Sequence, residues 1–189
     1  NGYGKEWEEE AARRGLNNIK EVPEALKAYI SNNTVDLFES LKVLNKRELH
    51  ARYDIRLENY IKKIQIESRV IGDLAQNHIV STAIKYQAKL VQTAKALKEI
   101  GLDEEAEPIV KILKEISKHV LVVSAKVEEM TEARKKANNT ESTEIRAKIY
   151  CEEVKPYFDV IRYEVDKLEL IIDDEDWPLA KYREMLYIN

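Results

Sequence analysis

Apolar residues recur with the period of an α-helix along most of the chain after residue 45. The pattern predicts three long helical segments, over residues 45–100, 103–137 and 141–172. The residues before them form short amphipathic runs, which predict short helices at 5–14, 22–30 and 35–41. Because only two to four residues connect the long segments, we expect antiparallel neighbours. The predicted fold is all-α, an antiparallel bundle of long helices with the short N-terminal helices packed on it.

The pattern predicts that the chain has two parts. These are a short-helix lead-in over residues 1–44 and a long-helix bundle with a C-terminal tail over residues 45–189. Asn45 and Glu48 have the spacing of a capping box, which predicts the start of the bundle. Thr34 is the expected N-cap of the third short helix.

Two features predict irregularities within the long helical segments. After residue 78 the apolar stripe moves by about 100° around the helix. A straight helix packed on one neighbour would not do this, so we predict a kink or a change of packing partner near residues 80–82. Pro156 predicts a bend in the last long segment.

Two polar residues interrupt the apolar face of residues 60–79. Glu67 and His78 fall on the face that we expect to point inward. They are separated by about 16 Å along a helix axis, so they cannot bond to each other and each needs its own partner. Two interpretations remain open: polar groups satisfied separately within the core, or contacts with another domain or subunit.

Composition narrows the class of protein. The 189 residues are 44% hydrophobic and 35% charged, with five glycines and four prolines, as expected for long helices. The net charge is −4 and basic residues are mixed with acidic ones, so we expect no nucleic-acid binding. The basic cluster Arg134, Lys135 and Lys136 is explained by its place near a helix C-terminus. No apolar run is long enough to cross a membrane.

The search for chemistry is negative. No histidine follows an acidic residue by three positions, which excludes the usual di-iron pattern of helical bundles. Glu115 and His119 could share a metal at their spacing, but a surface pair is favoured. Cys151 is expected to be a small buried hydrophobe. The acidic run 173–176 lacks the spacing of a calcium loop and is expected to be a solvated turn. We therefore predict no catalytic, cofactor-binding or metal-binding residue.

Three separated motifs resemble one family. These are NGYGKEWEEEAARRGLNN with VPEALKAYI after it, ELHARYDIRLENYIKKIQIESRVIGDLAQNHIVSTAIKYQ, and the ending WPLAKYREMLYIN. They resemble the region that follows the catalytic domain in bacterial type III glutamine synthetases. The resemblance implies a parent enzyme that ligates ammonia to glutamate with ATP and a divalent metal, magnesium or manganese. The family's catalytic residues lie upstream, and none of them matches a position in this chain.

The resemblance implies a non-catalytic C-terminal helical region with a structural role in domain packing or oligomer contacts. Its implied partners are its own upstream catalytic domain and neighbouring subunits of a cytoplasmic homo-oligomer, without nucleic acid or membrane. The alternative is a free-standing helical protein-interaction module with no enzymatic parent. The gene sequence upstream of residue 1 would separate the two.

Overall fold

The structure, a computed structural model, describes residues 4–186, without the side chains of residues 182 and 183. Every regular element within these residues is helical, which confirms the all-α prediction. The lead-in contains α1 (Lys5–Arg13), α2 (Val22–Leu26) with a 3₁₀ turn (Lys27–Ile30), and α3 (Asn32–Ser40). The bundle contains α4 (Lys46–Asp73), a first π-helical segment (Leu74–Val80), α5 (Ser81–Glu99), α6 (Asp103–Asn138), α7 (Thr143–Ile149), a second π-helical segment (Tyr150–Val154), α8 (Pro156–Ile171) and α9 (Tyr182–Met185).

The described residues do not test every prediction. The first three residues of the NGYG motif and the last three of the C-terminal motif lie outside the described residues. The antiparallel arrangement of the long helices stays a prediction, as does the domain boundary between residues 44 and 45. Within the described range, α2 and the 3₁₀ turn pack on α4, so short helices do lie against the bundle.

Local sequence signals explain how the short helices begin and end. Gly15 follows α1 with a φ of 69°, a left-handed conformation that suits glycine at this position. The predicted N-cap Thr34 was wrong. Ser31 caps α3 instead, because its Oγ accepts from the backbone N–H of Thr34 at 3.3 Å. The helix therefore starts three residues before the predicted range.

The predicted capping box at the start of the bundle is confirmed. The backbone N–H of Glu48 donates to Asn45 Oδ1 at 3.0 Å, and the backbone N–H of Asn45 donates to Glu48 Oε2 at 2.8 Å. From Lys46 the chain then stays helical to Glu99.

The first π-helical segment explains the displaced apolar stripe. A π turn holds about one residue more than an α turn, so everything after it is rotated by one position, or about 100°. The segment Leu74–Val80 lies just before the position we predicted. The packing partner also changes there: α4 packs on α7 and the short helices, whereas α5 packs on α6.

The second π-helical segment lies directly before Pro156, where a bend was predicted. Proline has no N–H, and its ring crowds the carbonyl four residues earlier, so a regular α turn cannot continue through it. The backbone N–H of Lys155 instead donates to Tyr150 O, five residues back, at 3.0 Å. The predicted single helix over 141–172 is therefore interrupted and divided into α7 and α8.

Buried side chains form two cores. The first joins α4, α6, the second π-helical segment and α8, and the second joins α5, α6, α8 and the C-terminal tail. The first core contains Tyr53, Leu57, Ile61, Ile64, Ala75, Val80, Val123, Met130, Ala137, Ala147, Tyr150, Val154 and Ile161. The second contains Ile79, Ala83, Ile116, Leu168, Ile172 and Trp177. The tail is thus anchored through Trp177.

Candidate functional site

The two polar residues of the apolar face do not form a buried site. His78 is exposed and Glu67 is half-buried, so placing His78 inward was wrong. The buried stripe of α4, which includes Ile61 and Ser68, lies to one side of the face we chose, and the first π-helical segment then turns His78 outward and Ile79 inward. The polar residue that α4 does bury is Ser68, whose hydroxyl donates to the carbonyl of Gln65 at 2.8 Å.

His119 does not pair with Glu115, contrary to the predicted surface pair. His119 is buried, and its Nδ1 lies 2.5 Å from Oε2 of Glu164 on α8. The two side chains are only 11% and 16% exposed, whereas Glu115 is exposed. A buried histidine–carboxylate contact between two helices holds α6 against α8. The pair cannot be found from local spacing because its members are 45 positions apart.

Cys151, the one cysteine of the sequence, is buried, as predicted. Its thiol has a polar partner that the pattern did not reveal: Sγ donates to Glu21 Oε2 at 2.8 Å. Burial, followed by the Glu21 carboxylate, raises the pKa of the Cys151 thiol, which keeps it protonated and weakly nucleophilic. The contact joins the lead-in to the bundle.

The acidic run forms a turn in which the carboxylates of Asp173, Asp174 and Asp176 are engaged in ion pairs or hydrogen bonds. Asp176 Oδ2 lies 2.6 Å from Lys89 Nζ, and Asp174 pairs with Lys181. Lys181 is buried and also donates to the carbonyls of Glu169 and Ile172 at the C-terminus of α8, where positive charge is favourable. The run therefore fastens the tail to the bundle.

The predicted basic cluster separates into two kinds of residue. Lys135 pairs with Glu132 and Lys136 with Glu153, each at 2.7 Å, at the C-terminus of α6. These lysines fit the prediction that the helix end accounts for their charge. Arg134 is half-buried and has no carboxylate within 4.0 Å among residues 4–186.

No group of three or more potential metal-ligating side chains occurs among the described residues. None of the helices in residues 4–186 combines the length and the apolar character needed to cross a membrane.

The lead-in buries few of its apolar side chains. In residues 4–44 only Ala11 and Val35 are buried. Large apolar side chains in the same range point to solvent, and we call them the lead-in surface: Trp7, Leu16, Ile19, Val22, Leu37, Leu41 and Val43. Single exposed apolar residues are common, but this number in a segment with so little core of its own is typical of an interaction surface.

The described residues thus form an all-helical domain with an anchored tail and exposed apolar side chains in its lead-in. The model of the family "Glutamine synthetase C-terminal domain" matches residues 1–98, and the chain belongs to that family. This confirms the resemblance that the sequence motifs indicated.

Three curated relatives are similar to the chain over nearly its whole length. The glutamine synthetase of Bacteroides fragilis (strain YCH46) is 47% identical over 98% of this chain and 26% of that protein. The glutamine synthetase of Butyrivibrio fibrisolvens is 31% identical over 99% of this chain and 27% of that protein. The type-3 glutamine synthetase of Dictyostelium discoideum is 27% identical over 100% of this chain and 26% of that protein. The chain thus spans about a quarter of the length of these relatives.

Proposed function

We propose that this chain is a structural, non-catalytic region that packs on the upstream catalytic domain of a type III glutamine synthetase through the lead-in surface. The observation that supports this most directly is the contrast between two buried residues and seven exposed large apolar ones in residues 4–44. Its position supports it too, since a C-terminal domain connects to the rest of its protein through its own N-terminal end.

Simple energetics favour covering this surface. Removing apolar surface from water contributes roughly 25 cal/mol per Å², or about 1 kcal/mol for half of a leucine side chain. Seven partly exposed side chains could therefore contribute several kcal/mol to docking, before the cost of ordering the interface. That is enough to matter when the partner belongs to the same chain, because a covalent connection holds it nearby.

The parent enzyme would ligate ammonia to glutamate with ATP and magnesium or manganese, in a cytoplasmic homo-oligomer whose neighbouring subunits are further partners. In that assignment the chemistry belongs to the upstream domain. Phosphoryl transfer needs metal-bridged phosphates and a fixed set of donors around them. We assign no catalytic or cofactor-binding residue to this chain, and we expect it to bind neither nucleic acid nor membrane.

The first experiment is to sequence the gene upstream of the codon for Asn1. An in-frame catalytic region is expected. A start codon directly before this position would overturn the proposal and favour a free-standing interaction module.

The second experiment places charge on the lead-in surface of the parent protein. Leu41 and Val43, which are 63% and 61% exposed, become aspartate together. The control is the same change at Leu121 and Leu170, which are 70% and 81% exposed on α6 and α8. We expect the first pair to lower resistance to limited proteolysis and the oligomeric fraction in size-exclusion chromatography, and the control pair to change neither. Equal effects of both pairs would exclude the lead-in surface as the docking site.

A further inference from the structure

Three helical elements meet at the side chain of Asn138. Its Oδ1 accepts from the hydroxyl of buried Tyr150 at 2.7 Å and from Nε2 of Gln65 on α4 at 3.2 Å. Asn138 is the last residue of α6, and Tyr150 opens the second π-helical segment. We call Gln65, Asn138 and Tyr150 the junction. Their hydrogen bonds fix the positions of α4, α6 and the chain after α7 relative to one another.

An arginine lies one helical turn from each member of this junction. Arg69 follows Gln65 by four residues, Arg134 precedes Asn138 by four, and Arg146 precedes Tyr150 by four. Residues four apart on a helix are neighbours at about 6 Å, a distance that an arginine side chain can span. The hydrogen bonds of the junction therefore hold together three residues that each have an arginine one helical turn away, although the arginines are distant from one another in sequence.

The charges at this place act on one another. Burial, and after it the positive charge of Arg69, lowers the pKa of Arg134. Burial raises the pKa of Tyr150, while the charges of Arg134, Arg69 and Arg146 work in the opposite direction. The charges of all three arginines thus act on the same side chain, that of Tyr150, and the charge of Arg69 also acts on Arg134.

The three arginines lack a counter-charge within residues 4–186. No carboxylate lies within 4.0 Å of any of them in this range, unlike neighbouring Lys135 and Lys136. Arg146 donates to the carbonyl of Glu141 at 3.1 Å, but its buried Nε has no acceptor in the described part of the chain. Like charges held together at a half-buried position are unfavourable unless an anion compensates them.

We propose that Arg69, Arg134 and Arg146 form a binding site for a multivalent oxyanion of the phosphate class. Guanidinium groups present paired N–H donors that match the oxygen atoms of phosphate or carboxylate. A multivalent phosphate neutralises three positive charges more completely than one carboxylate does. A single carboxylate would leave most of the repulsion among the arginines. Exposed Arg69 forms the entrance, and half-buried Arg134 and Arg146 form the inner side.

Inorganic phosphate is the probe. The chain is titrated with sodium phosphate by calorimetry at constant ionic strength, with sodium chloride as the matched salt. We expect saturable binding that is weakened at least tenfold in Arg134→Gln. Lys135→Gln is the matched control, because it removes the same charge from the next residue of the same helix end, and we expect it to bind within about twofold of the unchanged chain.

Three results would overturn the proposal. These are absence of saturable binding, equal weakening in Arg134→Gln and Lys135→Gln, or loss of oligomer in the Arg69→Gln parent protein without any phosphate binding by the chain. The last result would assign the arginines to a carboxylate of a neighbouring protein surface. Circular dichroism establishes that each variant is folded. If Arg134→Gln does not fold, Arg69→Gln makes the same test at an exposed position.

Discussion

Residues 4–44 and the bundle that follows them contain similar apolar side chains but place them differently. In the bundle, helices more than 30 positions apart in sequence cover one another, as Leu57, Val123 and Ile161 do in the first core. In the lead-in, seven large apolar side chains are exposed and only two residues are buried, whereas in the rest of the described chain buried apolar residues outnumber exposed large ones. Helical periodicity thus marks a face that needs a partner, but it does not say whether the partner belongs to the same stretch of chain.

The polar contacts of the lead-in and the bundle also differ in how far they are buried. The lead-in holds surface ion pairs such as Arg13–Glu10 and Lys20–Glu8, which contribute little to stability because water and salt screen them. The bundle has surface ion pairs too, such as Lys135–Glu132, but it also contains buried polar contacts at Lys181 and at His119–Glu164. Inside the described chain, the stability of the lead-in therefore depends on its attachment to α4, where Tyr29 of the 3₁₀ turn lies 4.8 Å from the guanidinium of Arg56.

The largest expected effect compares one substitution in the two regions. Leu57→Ala removes a leucine that is 1% exposed in the first core, and we expect a loss of about 2–5 kcal/mol in the free energy of unfolding. Leu41→Ala removes one that is 63% exposed on the lead-in surface, and we expect a change within about 0.5 kcal/mol. Urea melts of the isolated chain measure both. Similar losses would mean that the lead-in has a core of its own and would break the comparison.

A smaller effect tests the buried polar contact. His119→Ala leaves Glu164 half-buried without its partner, which should lower the free energy of unfolding by about 1–3 kcal/mol. Glu115→Ala, at the exposed position once expected to pair with His119, is the control and should cost less than about 0.5 kcal/mol. If the control costs as much as His119→Ala in the same urea melts, the pairing described here is wrong.

The sequence was sufficient for features set within one or two turns of chain. The helical periods and the Asn45–Glu48 capping box depend on neighbouring residues and were predicted correctly. Pro156 marked the place where the last long segment becomes irregular, but the prediction there was a bend in a single helix and the structure has a π-helical interruption. The stripe displacement after residue 78 was detected, but its cause, a π turn, has no distinct residue signature. Helix starts were less certain because Ser31 and Thr34 are both good caps, and only the geometry shows that Ser31 acts.

The polar contacts could not be predicted for a different reason. Glu21 with Cys151, Glu164 with His119 and the arginines around Tyr150 bring together residues from distant parts of the chain. Periodicity gives the face on which a residue lies, but the rotation of one helix against another decides which polar groups meet. The rotation at the first π-helical segment was enough to misplace His78.

The smallest expected effect tests whether the half-buried carboxylate of Glu67 has a polar partner. Glu67 is half-buried, with no hydrogen bond or ion pair to the residues that the structure describes. Glu67→Ala in the isolated chain should therefore change the free energy of unfolding by no more than about 0.5 kcal/mol, since no partner is left unsatisfied and alanine favours the helix. Lys62→Ala, at an exposed position on α4, is the control and should give the same small change. A loss of about 1–3 kcal/mol in Glu67→Ala alone, measured in urea, would show that this carboxylate has a buried partner after all.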